Sequence, residues 1–211
     1  PAPQGTIRPP VIVLTPRPVP TPSFSALGCR IPNPMPIPVV HELSRYLKIS
    51  AGKQFNCAIS SSDTSVQCWG TNVLGQLGNG RFDSRSVPTS VYGITSARDV
   101  AAGGNFACAV LTGGQVSCWG SNAIGQLGAI DSAGRRNCPV PVQINLPKPV
   151  QSISVGANHA CALTQDRNVF CWGANTSGQV DGVAQGLAVG SELFSPPTQI
   201  RFISSNAIAV A

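Results

Sequence analysis

The chain has 211 residues, enough for one or two domains and a sizeable buried core. Charged residues make up only 10% of it, against about 25% in ordinary soluble domains, so the surface is thinly solvated and open to cover by a partner. Lys and Arg outnumber Asp and Glu by 14 to 8, but the basic residues are scattered singly apart from Arg135-Arg136, which argues against a phosphate-tracking stripe and a nucleic-acid partner.

Residues Pro1 to Ser25 come first and hold eight of the 19 prolines. Proline fixes φ and removes donors, so this arm is expected to run extended as polyproline II. Inside it lies the apolar run Val11, Ile12, Val13 and Leu14, unusual for a free linker. The arm is either a flexible tail or an extended anchor that hides those four side chains on a neighbouring subunit. No stretch approaches the roughly 18 apolar residues of a membrane span. The first thirty residues also lack the basic, apolar and small-residue regions of a signal peptide.

From Ala26 to Ile49 the sequence reads like the second half of the later repeats. Leu27-Gly28, then Pro36-Ile-Pro-Val39, then Tyr46-Leu-Lys-Ile-Ser-Ala-Gly52 parallel Leu127-Gly128, Pro139-Val-Pro-Val142 and Val150-Gln-Ser-Ile-Ser-Val-Gly156. The predicted units are a Pro-rich arm over 1–25 and a repeat domain over 26–211. The domain divides into a half repeat 26–51, repeats 52–102, 103–155 and 156–206, and the start of another at 207–211.

Each full repeat opens with a hairpin: Phe55 to Gly70, Phe106 to Gly120 and His159 to Gly173. Two short alternating segments around a polar turn are the signature of adjacent antiparallel strands. Cys108 and Cys118 are ten apart, as are Cys161 and Cys171, which suits an odd loop such as Thr112 to Gly114 or one around Asp166. Cys57 and Cys68 are eleven apart, which suits the even loop Ser61 to Thr64. Opposed side chains at a non-hydrogen-bonded position lie close enough for a disulfide, so each hairpin is expected to carry one bridge: Cys57 with Cys68, Cys108 with Cys118, Cys161 with Cys171. Opposed thiols in register point to an oxidising, extracytoplasmic compartment: secreted, periplasmic or cell-surface. Cys29 and Cys138 remain, to bridge each other, join another chain or stay free. A zinc site is excluded by spacing, because no C-x-x-C knuckle is present.

After each Trp-Gly comes a turn: Asn72-x-x-Gly-Gln-Leu-Gly78, Asn122-x-x-Gly-Gln-Leu-Gly128 and Asn175-x-x-Gly-Gln-Val-Asp181. The hairpins recur with periods of 51 and 53 residues. A period near 50 with about four short strands per unit marks propeller blades. Trp69, Trp119 and Trp172 lie on one strand face with small residues opposite, and Phe55, Phe106 and His159 share the slot that opens each hairpin. All six are expected to fill the core between blades.

The repeats resemble those of the regulator of chromosome condensation family. The resemblance is carried by the strand Gly103, Phe106, Ala109 and Val110, by the strand end Trp119-Gly120, and by the turn Asn122 to Gly128, with equivalents in the other units. It covers roughly residues 26–211 and implies an all-β propeller, closed at seven blades in the family, of which this chain supplies three to four. The paired cysteines look like those of the exported bacterial branch.

Catalytic chemistry is absent from the motifs. No Gly-x-Ser-x-Gly elbow, phosphate-binding loop or His-Glu-x-x-His pair occurs, and Asp63, Asp83, Asp131 and Asp166 sit singly in turns. Asn175-Thr-Ser177 is a formal glycosylation sequon placed where Asn72 and Asn122 serve the turn. The expectation is a protein that is not an enzyme and takes no cofactor, metal or small-molecule substrate. It would act as a structural or protein-recognition subunit of an extracytoplasmic assembly, with other protein subunits as partners. The alternative, which the resemblance implies, is guanine-nucleotide exchange on a small GTPase.

Overall fold

A computed structural model describes residues 45–128, 137–180 and 194–200. The Pro-rich arm with Val11 to Leu14, the first part of the half repeat and Cys29 lie outside the described residues.

Twelve strands form three four-stranded antiparallel sheets. The first contains β1 (Tyr46–Ala51), β2 (Phe55–Ser60), β3 (Val66–Gly70) and β4 (Arg85–Ser90). The second contains β5 (Ala97–Ala102), β6 (Phe106–Leu111), β7 (Val116–Ser121) and β8 (Asn137–Ile144), and the third β9 (Val150–Val155), β10 (His159–Thr164), β11 (Val169–Ala174) and β12 (Phe194–Gln199). Strands follow one another in space as in sequence, so each sheet is a meander and a blade of a propeller. The first strands form the inner edge, where β1 touches β5 and β5 touches β9.

The outer edge is β4, β8 and β12, each with a strand partner on one side only among the described residues. It carries Pro88, Pro139, Pro141, Pro196 and Pro197. Proline is tolerated there because an edge strand has one flank without a ladder to feed.

Register within each hairpin follows from its turn. Ser60 N–H donates to Ser65 O, Leu111 N–H to Gln115 O and Thr164 N–H to Asn168 O, so alternate pairs from there inward are non-hydrogen-bonded and draw closest. Cys57 and Cys68, Cys108 and Cys118, and Cys161 and Cys171 fall on those positions and are disulfide-bonded, with Cα atoms 4.1, 4.0 and 4.1 Å apart. In the chain-entropy account, closing loops this short contributes about 2 to 3 kcal/mol at most for each bridge. Cys138 is disulfide-bonded as well.

Blade and repeat are out of phase by one strand. The repeats counted from the hairpins begin at Gly52, Gly103 and Gly156, whereas the blades begin at Tyr46, Ala97 and Val150. The physical reason is pairing: β5, the last strand of the repeat 52–102, bonds to β6 of the following repeat.

The core lies between blades. Phe55, Cys57, Ile59, Val66 and Cys68 of the first blade face Ala107, Ala109 and Trp119 of the second in one buried cluster. Phe106, Cys108, Val110, Val116 and Cys118 face Ala160, Ala162 and Trp172 of the third in another. Small alanines opposite bulky rings let the sheets interdigitate at close-packed density.

Candidate protein-recognition surface

Antiparallel meanders present two faces, and the chain uses them differently. On one face lie the hairpin turns and the connections between blades: Ala97 N–H donates to Thr64 O, and Gln165 N–H to Pro149 O. On the other lie the Asn-x-x-Gly-Gln turns that follow each Trp-Gly, where Thr71 N–H donates to Gln54 O.

These turns are rigid for a traceable reason. Asn72 Oδ1 accepts from Leu77 N–H at 2.9 Å, while its Nδ2 donates to the carbonyls of Arg81 and Asp83 at 2.9 and 3.1 Å. Asn122 and Asn175 accept from Leu127 and Val180 in the same way, at 3.0 Å each. Gln76 Oε1 closes a smaller loop by accepting from Leu74 N–H at 2.8 Å. A polar side chain buried in this manner is stabilising only because its donors and acceptors are met. The same burial settles the role of the sequon: Asn175 is fully enclosed, so its amide belongs to the turn and offers no room for a glycan in the folded blade.

Each turn is also a seat for the next blade. Trp119 Nε1 donates to Gln76 O at 2.8 Å, and Trp172 Nε1 to Gln126 O at 2.9 Å. The indole then lies over the glycine that ends the motif. A Cβ on Gly78 would come within 2.7 Å of Trp119 Cδ1, and one on Gly128 within 3.0 Å of Trp172 Cδ1. Both glycines have φ near +63°, a region that a side chain disfavours independently of the indole. Trp119 and Trp172 are fully buried. Trp69 is different: it is half-buried and rests on Tyr46, with ring centroids 6.2 Å apart. Its repeat is the same, but among the described residues no blade precedes its own.

Phe55 and Phe106 are fully buried, while His159 in the equivalent slot is half-buried. Desolvation holds its imidazole below the ordinary value of 6.5. The folded chain therefore binds fewer protons than the unfolded one just below that value, so stability is complete above pH 6.5 and falls as the pH drops toward the lowered folded value. The melting temperature of the wild type should decline between pH 7 and 5, and His159→Phe should flatten that decline; equal slopes in thermal melts would show that the imidazole does not titrate in this window.

Exposed apolar groups gather on the turn face of the first blade. Val73 is 64% and Phe82 45% exposed, and their backbones are drawn into one loop because Asn72, beside Val73, holds the carbonyls on either side of Phe82. Arg81 is exposed beside them, and Arg85 pairs with Asp83 at 2.5 Å. The position of Val73 is taken by the smaller Ala123 in the second turn and by the polar Thr176 in the third. On the opposite face a pocket of about 230 Å³ lies between Gly113 to Gln115 and Asn145 to Pro149, below the roughly 300 Å³ at which small-molecule sites begin. Among the described residues no cluster of three His, Cys, Asp or Glu could hold a metal ion, and no helix is long and apolar enough to cross a membrane.

Two family models described as the Regulator of chromosome condensation (RCC1) repeat match the chain, one over 65–110 and 113–163 and the other over 97–126 and 150–179. Together they run without a break from 65 to 179, more than half of the sequence. The human probable E3 ubiquitin-protein ligase HERC6 is 38% identical over 148 residues, which is 64% of this chain and 14% of that protein. The X-linked retinitis pigmentosa GTPase regulator of dog is 31% identical over 134 residues, 63% of this chain and 13% of that protein. The chain thus spans about one seventh of these relatives. Among solved structures, yeast RCC1 (Prp20) bound to Kap60 superposes with a TM-score of 0.64 at 24% identity, covering 78% of this chain and 39% of that one. Human WBSCR16 gives 0.63 at 20% identity, covering 76% and 39%. With the repeat matched over most of its described blades and the same propeller architecture, the chain belongs to the Regulator of chromosome condensation (RCC1) repeat family.

Proposed function

We propose that this chain is a non-catalytic protein-recognition module that presents the turn face of its blades to another protein. The observation that carries the reading is the exposed pair Val73 and Phe82 on a turn locked by the Asn72 side chain. Large apolar groups held out by a rigid scaffold are the usual anchors of protein interfaces, and the exposed Arg81 beside them suits a partner with a carboxylate near its own apolar contact. The three hairpin bridges support an extracytoplasmic setting. The exported bacterial branch has the same bridges as its support, whereas the relatives named above are human and canine. The Pro-rich arm, with Val11 to Leu14, is proposed as a second attachment. Nucleotide exchange on a GTPase is the lesser reading. It draws on the GTPase regulator among the relatives, and fold likeness alone does not transfer an activity.

A photo-crosslinking amino acid at Phe82 tests the main reading against the same group at Gln165, which is exposed on the opposite face. In the native setting, position 82 should yield one discrete protein adduct and position 165 none. Equal adducts from both positions, or none from 82, would overturn it.

A further inference from the structure

The first blade has one face that no other blade covers among the described residues. Ile49, Val100 and Ile153 occupy equivalent inner-strand positions, opposite Ala58, Ala109 and Ala162. Val100 and Ile153 are buried against the preceding blade, whereas Ile49 is 61% exposed. Trp69 shares that face, half-buried where Trp119 and Trp172 are fully enclosed. Between them Gln67 is almost completely buried; its Oε1 accepts from Tyr46 Oη at 3.0 Å, but its Nε2 has no acceptor. An apolar face with an indole N–H and an unmet amide donor asks for an occupant that brings backbone carbonyls and a residue without a Cβ.

We infer that residues 26–39 are that occupant, with the Ala26 carbonyl accepting from Trp69 Nε1, Gly28 beneath the indole, and Pro36 to Val39 forming the outer strand beyond. In the two seats described above, the tryptophan of the next blade donates to the carbonyl two residues before the final glycine. Ala26-Leu27-Gly28 supplies that pattern. The outer strands contain Val87-Pro88-Thr89, Val140-Pro141-Val142 and Pro196-Pro197-Thr198, and Ile37-Pro38-Val39 repeats the motif. Pro88 and Pro141 each lie nine residues before the next inner strand, at Ala97 and Val150, and Pro38 lies eight before Tyr46. The competing occupant is the third blade of a second copy. Its turn ends in Asp181 where Gly78 and Gly128 stand, so it would bring a Cβ to the place where the indole must lie.

The test reads the three indole protons of the full chain by nitrogen-15 NMR, with Trp69 assigned through Trp69→Phe. Trp69 Hε1 should exchange with deuterium as slowly as those of Trp119 and Trp172, and should show a nuclear Overhauser contact to Gly28 Hα. Gly28→Val should speed its exchange at least tenfold and leave the other two unchanged. Exchange of Trp69 Hε1 at the rate of free indole in the unsubstituted chain would overturn the inference. Contacts from Trp69 to residues 175–180 that vanish on dilution would overturn it in favour of the second copy. Because the contact and the protection are both read in the unsubstituted chain, the outcome stands even if Gly28→Val does not fold.

Discussion

Trp119→Ala should destabilise the chain by about 3 to 5 kcal/mol, the range for truncating a buried large aromatic. The indole is fully enclosed, belongs to the cluster shared by the first two blades and satisfies the Gln76 carbonyl across the blade boundary. Its removal empties a cavity against Gly78 and strands that carbonyl, so two costs add. Trp119→Phe retains a ring but gives up part of the indole's volume and still leaves the Gln76 carbonyl unmet, so it should cost about 1 to 3 kcal/mol. The cost of Trp69→Ala reports on the seat inferred for it: with residues 26–39 in place it should approach that of Trp119→Ala. Chemical denaturation orders the three variants. A midpoint for Trp119→Ala equal to that of the wild type would show that the blades do not depend on this seat.

The comparison between these tryptophans also shows what the sequence could and could not disclose. Cysteine spacing alone set the hairpin register, because ten or eleven residues leave few turn lengths that oppose the two thiols. The prolines of the outer strands, Pro88, Pro139, Pro141, Pro196 and Pro197, answer to an equally local constraint, the missing N–H. The Asn-x-x-Gly-Gln turn was readable as a turn, but its use as a seat was not, since the indole it receives comes from 43 residues further on. Trp69 and Trp119 occur in nearly identical motifs and end in different surroundings. Burial here belongs to the neighbouring blade and not to the repeat that carries the residue. The exposed Phe82 gave no signal either: it falls between motifs, in a connection whose length and composition differ in all three repeats.

Asp99 was equally silent in the sequence and is the second position where a large effect is expected. It is nearly buried on the inner strand β5 and bridges three blades, pairing with Lys48 of the first and accepting the Ile153 N–H of the third at 3.1 Å. Asp99→Ala leaves that amide unmet and Lys48 without its carboxylate. Breaking a buried pair costs about 3 to 5 kcal/mol; because Lys48 is half exposed and can turn to water, about 2 to 3 kcal/mol is the expected loss. Lys48→Ala leaves the buried Asp99 carboxylate with its amide partner but without its counter-ion, and should cost about 1 to 2 kcal/mol. In a double-mutant cycle, the loss in Asp99→Ala should largely persist when Lys48 is already alanine, since most of it comes from the stranded amide. If the loss disappeared in that background, the ion pair rather than the amide would be the source.

The one-strand offset between repeat and blade bears on how such a gene could lengthen or shorten. Recombination at the glycine codons that open each hairpin, Gly52, Gly103 and Gly156, would exchange segments that start with a bridged hairpin and finish with an inner strand. Every inserted segment would then lend its last strand to the unit after it and receive one from the unit before. Copy number could change by whole units, and no sheet would be left a strand short at either junction.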